Sequence, residues 1–419
     1  MTGRSYIERL VDPWLAELVA DVPAIMLVGP RATGKTTTAA RLARTVLRLD
    51  DRNVRAAITA DPDSVLRDAD PPVLVDEWQL APDVLAATKR LVDADPSPGR
   101  FLLAGSAADD AGAQQWPGTG RVIRVPLWSL TQRELHTKVA GPTFLDRIIE
   151  EIDTTGEATF PLPAEHPDTA GYVDLALASG FPEALARNSV RTRSAWLDSY
   201  LDHLIGRDVA LLTDVRNPGK LRRHLRAIAA STAASPTLAT LAEASELDRS
   251  TIERYDLLLE RLFVTEQVPA WSSNRLTRIT RRPKRYICDP ALAATALGVD
   301  RRAVLRNADL LGRIIDTFVA AQLRPELSLG TRPAAMYHLR EQSGRREIDV
   351  ILERRDGAIV AIEVKAATAV DEHDARHLAW LRDQLPTGNV RAGLVLYTGT
   401  LVRPLGRNLW AVPICTLWA

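Results

Sequence analysis

Apolar positions along the chain follow three different rhythms. Up to about residue 140, short continuous apolar runs, among them Ala24–Val28, "VLV" before Asp76, "FLLAGS" and "RVIRVPLW", alternate with helical segments. Unbroken runs of strand length suit strands covered on both faces. Their alternation with helices predicts a parallel sheet with helices on both sides and a ligand at the strands' C-terminal ends. From Tyr172 to about Leu297 the pattern is mainly helical. Within it "LATLAEASELDRSTIERYDLLLERLFV" gives two apolar-periodic segments around a turn at Glu246–Asp248, the spacing of a helix-turn-helix. "FVTEQVPAW" and "KRYICD" then suit the two strands of a wing. Near the end, "REIDVILERRDGAIVAIEVK" predicts two strands joined at a turn containing Asp356 and Gly357. The expected architecture is α/β: a P-loop parallel sheet over 1–140, a helical region with a winged-helix-like module over 170–300, and a further α/β domain over 301–419.

Composition narrows the function classes. At 419 residues, 46% apolar and 25% charged, the chain reads as two or three ordinary globular domains. No run of eighteen apolar residues occurs, and the N-terminal stretch with Arg4, Glu8 and Arg9 lacks a signal-peptide core, so a cytoplasmic protein with no membrane partner is expected. Cys288 and Cys415 alone exclude a disulfide scaffold. Zero formal net charge gives no general argument for nucleic acid. Locally the balance differs: Arg275, Arg278, Arg281, Arg282, Lys284, Arg285, Arg301, Arg302 and Arg306 face only Asp289 and Asp300 between Trp271 and Arg306. Lysines are scarce, which draws attention to Lys35 and Lys365.

"GPRATGKT", Gly29 through Thr36, matches the G-x-x-x-x-G-K-[ST] pattern between an apolar strand and a helix. Gly29, Pro30, Arg31, Ala32, Thr33 and Gly34 form the loop whose backbone N–H groups cradle phosphates, continued by Thr37 into the helix. Lys35 reaches the β- and γ-phosphates, and the Thr36 hydroxyl ligates magnesium. Asp76, ending the next apolar run, is the second magnesium position, and Glu77 is the general base toward water. Ser106 ends "FLLAGS" where a γ-phosphate sensor would stand. Arg121 is either a charge-stabilising arginine, in cis or from a neighbouring subunit, or a surface residue.

These blocks, with "VLVDEWQLAPDVLAATKRLVD", "GRVIRVPLWSLTQREL", "SGFPEAL", "WLDSYLDHLIGRDVALL" and "KRYICDPAL", resemble bacterial and archaeal AAA-superfamily ATPases whose C-terminal half is the domain of unknown function 4143. The likeness covers most of the chain. It implies ATP binding and hydrolysis with Lys35, Thr36, Asp76 and Glu77 at the matching positions, and ATP and magnesium as ligands. The middle helices either read DNA, through Arg249, Ser250, Thr251 and Arg254, or serve as a packing or subunit-contact module, the reading favoured by Glu253, Asp256 and Glu260 on the same helix.

The last strands pose a register question. A two-residue Asp356-Gly357 turn would pair Asp349 with Val364; a three-residue turn, Arg355 to Gly357, puts Asp349 opposite Glu363. The three-residue turn is expected. It gathers Asp349, Glu363 and Lys365 on one face, with Glu347 beside them, a constellation for magnesium-dependent phosphodiester hydrolysis in which carboxylates hold metal and Lys365 acts on water. This is similar to the core of the PD-(D/E)xK nuclease superfamily, which includes Holliday-junction resolvases and adds an acid from a preceding helix. Asp316 stands there, where relatives usually carry Glu. The resemblance implies DNA as substrate, and leaves a non-cleaving switch or scaffold, and an oligomer, as open alternatives.

Overall fold

The computed structural model describes residues 5–105, 120–208, 217–341 and 345–419. The chain falls into two compact units, residues 1–130 with 261–264, and residues 131–260 with 265–419.

In the first unit the predicted parallel sheet forms from β1 (Ala24–Val28), β2 (Thr45–Arg48), β3 (Val73–Asp76), β4 (Phe101–Ala104) and β5 (Ile123–Pro126), in the order β2-β3-β4-β1-β5. Every neighbouring pair runs parallel. The three inner strands are buried at every position, whereas β2 alternates and β5 is half exposed. Continuous apolar runs therefore mark the centre and broken ones the edges. Met26, Val75, Leu103 and Trp78 pack with Val84, Ala87 and Leu91 of the helix Asp83–Ala94. Order places β1 between β4 and β5, so the loop after Val28 opens on the C-terminal edge one strand in from β5.

The second unit holds a six-stranded sheet of β8 (Ala334–Arg340), β9 (Glu347–Arg354), β10 (Ile359–Lys365), β11 (Val390–Tyr397), β12 (Arg403–Gly406) and β13 (Leu409–Pro413), ordered β12-β13-β11-β10-β9-β8. β8, β9 and β10 meander antiparallel, while β11 joins β10, and β13 joins β11, in parallel. The turn between β9 and β10 has the expected form. Arg354 and Ala358 close it by a hydrogen bond of 2.9 Å, and Gly357 takes φ 87°. Val360 thus pairs with Leu352 and Ile362 with Val350, and continuing that register sets Asp349 beside Glu363. The helix Ala308–Leu323 packs on β10.

The expected helix pair is present as Leu238–Ser245 and Arg249–Arg261. After it come β6 (Thr265–Val268) and β7 (Lys284–Ile287), an antiparallel ribbon whose connection carries the short helix Arg275–Thr280. The basic stretch is less basic than its sequence suggests. Arg278 pairs with Glu353, Arg285 with Asp256, Arg301 with Asp174, and Lys284 with Asp316 and Asp349. Asp256 points inward onto His224 and Arg285, so its charge is not on the outer face of its helix. Among the described residues no helix is long and apolar enough to cross a membrane.

Candidate functional site

The loop after β1 is shaped by backbone that few residues tolerate. Gly29 has φ 142° and Gly34 φ 98°; a Cβ on Gly29 would stand 2.2 Å from the Leu127 carbonyl oxygen. Only glycine lets the loop turn there against the residue following β5. The Thr33 hydroxyl donates to the Pro30 carbonyl at 2.9 Å, and the helix Lys35–Ala40 starts from Gly34. Lys35 is buried, its Nζ donating to the carbonyls of Gly29 (2.9 Å) and Pro30 (2.7 Å). Burial pushes its pKa down to about 8, against the pull of Glu77 and Asp76. The ammonium is thus held at the loop, poorly solvated, where an anion would be its best partner.

β3 runs beside β4 and delivers Asp76 to the same edge. The Thr36 hydroxyl donates to Asp76 Oδ1 at 2.7 Å, and burial raises the Asp76 pKa, opposed by that hydrogen bond. Glu77 has φ 55°, which swings its side chain off the strand axis, and its carboxylate accepts from Gln79 Nε2. Thr37 is exposed on the first turn of the helix, and Arg31 and Ala32 are half-buried. Ser106 lies outside the described residues. Arg121 belongs elsewhere: it precedes β5, its guanidinium pairs with Asp93 at 2.8 Å, and β5 runs parallel to β1 with Val28 opposite Pro126. It therefore stands at the N-terminal end of the sheet, opposite the loop, and does not reach the loop of its own chain.

One further residue holds the loop. Arg9, 3% exposed, donates from Nη1 to the Thr33 carbonyl (2.9 Å) and from Nη2 to the Trp128 carbonyl (2.7 Å). No motif marks it, because its partners are 24 and 119 residues away.

In the second unit Asp316, Asp349, Glu363 and Lys365 come together, and so does a residue that the sequence reading placed in a wing. Lys284 on β7 is 1% exposed; its Nζ donates to Asp316 Oδ2 (2.6 Å), Asp349 Oδ1 (2.9 Å) and the Asp349 carbonyl (3.3 Å). Tyr286, two positions along the same strand, donates to Asp316 Oδ1 at 2.9 Å. The Val364 amide donates to Asp349 Oδ2 at 3.0 Å, and Lys365 Nζ to Glu363 Oε1 at 2.8 Å. Glu363 Oε2 is buried without a partner. Burial opposes ionisation of Asp349, but Lys284 beside it keeps its pKa below the usual value; burial lifts Asp316 to about 6. For Glu363, burial and then Asp349 push the pKa up to about 8. Glu347 instead lies 3.8 Å from Arg340 at the rim. The shorter Asp316 arm is met by the ammonium of Lys284, and among the described residues no group of three or more His, Cys, Asp or Glu is placed to hold a metal ion. The three carboxylates expected to bind magnesium are arranged around Lys284 and Lys365 instead.

Comparison with known proteins places these sites. Residues 21–136 match an AAA domain, 169–303 a domain of unknown function (DUF8612), and 311–417 a domain of unknown function (DUF4143). The uncharacterized proteins Rv2008c of Mycobacterium tuberculosis and Mb2031c of Mycobacterium bovis are each 30% identical over 396 residues, covering 93% of this chain and 80% of the relative. The chain belongs to their family. Its AAA domain, a parallel five-stranded sheet with the Gly29–Thr36 loop following the inner strand β1, is of the P-loop ATPase-like, nucleotide-binding kind. Among solved structures the Walker-type ATPase PABY2304 of Pyrococcus abyssi is similar at 14% identity and a TM-score of 0.41, over 70% of this chain and 96% of that one. The family's DUF4143 segment contains Asp316, Asp349, Glu363 and Lys365, whereas Lys284 comes from the DUF8612 segment.

Proposed function

We propose that the chain binds and hydrolyses ATP, and that nucleotide state governs a nuclease-like C-terminal domain which binds DNA without cutting it. The observation that carries the first part is the Thr36–Asp76 hydrogen bond of 2.7 Å beside the buried Lys35. Two oxygen donors from different elements, one hydrogen bond apart at a phosphate loop, suit magnesium, which would neutralise charge on the phosphates. Lys35 and the backbone N–H groups from Arg31 to Thr36 hold the β- and γ-phosphates of ATP, and Glu77 takes the proton of the attacking water. Glu77 holds Gln79 here, so Gln79 is the partner it exchanges for water.

For the second part, the order of acids on the helix Ala308–Leu323 and on β9 and β10, followed by Lys365, supports a PD-(D/E)xK-like core, and the helix pair with the β6–β7 ribbon supports a winged helix. Fold alone does not make a nuclease. Binding is favoured over cutting because Lys284 occupies the space between Asp316 and Asp349. The exposed Arg275, Arg282, Arg302 and Arg306 are the cations left for phosphates.

The test is direct. Lys35→Ala is expected to abolish ATP binding, and Glu77→Gln to keep binding while lowering turnover about 10²- to 10⁴-fold; undiminished turnover in Glu77→Gln removes the base assignment. Single-stranded, duplex and branched DNA incubated with the parent protein and magnesium or manganese, with and without ATP, should be retained in gel shift and remain intact. Metal-dependent cutting lost in Lys365→Ala would replace the binding reading with a nuclease.

A further inference from the structure

We propose that Lys284 is a resident cation standing in place of a divalent metal, so that Asp316, Asp349 and Glu363 take no divalent ion while its ammonium is there. This deepens the non-cleaving reading of the C-terminal domain and rests on it.

The geometry is that of a cation among oxygen ligands. An ammonium has three donors and no acceptor. All three are engaged by Asp316 Oδ2, Asp349 Oδ1 and the Asp349 carbonyl, and none of those contacts exceeds 3.3 Å. These ligands, two carboxylates and a backbone carbonyl, are the donor types that hard divalent cations take. A fourth donor waits beside them, since the register sets Glu363 next to Asp349 and Glu363 Oε2 is buried with no partner. The remaining carboxylate oxygens are fixed from outside, Asp316 by Tyr286 and Asp349 by the Val364 amide, as supporting contacts around metal ligands are.

Charge is matched without a metal: Lys284 and Lys365 stand against Asp316, Asp349 and a Glu363 whose carboxyl is held toward its neutral form by burial and then by Asp349. The stand-in comes from outside the sheet that carries Asp349 and Glu363, because β7 pairs with β6 in a separate ribbon.

The experiment uses the full chain carrying Asp76→Ala, without nucleotide, so that the AAA domain lacks its acidic metal position. Mn2+ binding is read from the electron paramagnetic resonance signal of free Mn2+ and from thermal unfolding. With Lys284 present, no Asp349-dependent Mn2+ binding is expected. Lys284→Ala and Lys284→Met are expected to bind one Mn2+, which at about 100 times its Kd favours the folded state about 100-fold. Adding Asp349→Asn should abolish the effect. If either Lys284 variant is unfolded without metal, Mn2+-dependent refolding is the supporting result. Mn2+ binding that needs Asp349 while Lys284 is present overturns the inference, as does failure of Mn2+ to bind or rescue both Lys284 variants. DNA cleavage by the parent protein would overturn the non-cleaving reading separately, and the Mn2+ measurement distinguishes the two.

Discussion

Replacing Arg9 by alanine tests whether the phosphate loop is preorganised from outside its own motif. The guanidinium spans two carbonyls, Thr33 in the loop and Trp128 beyond β5, and is almost fully buried. A hydrogen bond to a charged group contributes about 1.5–3 kcal/mol, so two set an upper range of about 3–6 kcal/mol. Water can reach the partly buried Trp128 end and recover part of it. The expected loss of local stability is therefore about 3 kcal/mol, or about 150-fold in the opening equilibrium of the loop. Amide hydrogen exchange over Gly29–Thr38, followed by mass spectrometry, reads that opening without requiring the two units to unfold together. ATP affinity should fall alongside, because amides that no longer hold their orientation must be ordered by the ligand. Arg9→Lys should recover only part of the loss, since a single ammonium lacks the planar fork that meets both carbonyls. Exchange within threefold of the parent in Arg9→Ala, with unchanged ATP affinity, would refute the reasoning.

Gly29→Ala places a Cβ 2.2 Å from the Leu127 carbonyl oxygen at φ 142°, and should cost about 2–4 kcal/mol in the first unit; an unchanged thermal transition would contradict it. His338 is buried with Nε2 on the Arg282 carbonyl at 3.0 Å, and burial, then Lys284, push its pKa from 6.5 down to about 4. Because the unfolded state binds the proton more readily, its contribution is complete above pH 6.5 and is lost as pH falls toward 4, by up to about 3 kcal/mol. The stability of His338→Gln, compared with the parent across that window, should fall less steeply; parallel curves would dismiss the histidine.

What could be read from the sequence was what local chemistry encodes. The phosphate loop is a contiguous string whose glycines, lysine and threonine each have a reason to be there, and Asp76 and Glu77 follow a run that only a covered strand explains. The Asp349–Glu363 register was also legible, because turn length alone decides it and Gly357 marks the left-handed position. Lys284 was not. It sits among arginines and reads as one more wing cation, and its carboxylates arrive from 32 and 65 residues away on a helix and a different sheet. Asp256 failed for the same reason, an outward-looking acid in the helix pattern that turns inward to His224 and Arg285. Arg121 looked like a charge near a strand start, but strand direction puts that start at the wrong end of the sheet.

The choice between lysine and arginine carries information that position alone does not. Among the described residues most ion pairs use arginine, including the buried Arg354–Asp146 and Arg285–Asp256. Arginine is the better partner for such pairs, because its fork matches a carboxylate and its charge is weakly hydrated. Lysines are few, and Lys35 and Lys284 are the ones buried among the described residues. Both stand within hydrogen-bond reach of oxygens that converge from separate positions: the carbonyls of Gly29 and Pro30 for one, Asp316, Asp349 and the Asp349 carbonyl for the other. A planar fork addresses one carboxylate edge, whereas a compact ammonium can sit at the focus of several oxygens as a point charge. A chain otherwise built on arginine has therefore placed lysine where a small sphere of charge is needed. At residue 35 that sphere is the cation proposed to meet phosphate, and at residue 284 it is the one proposed to stand in for a divalent ion.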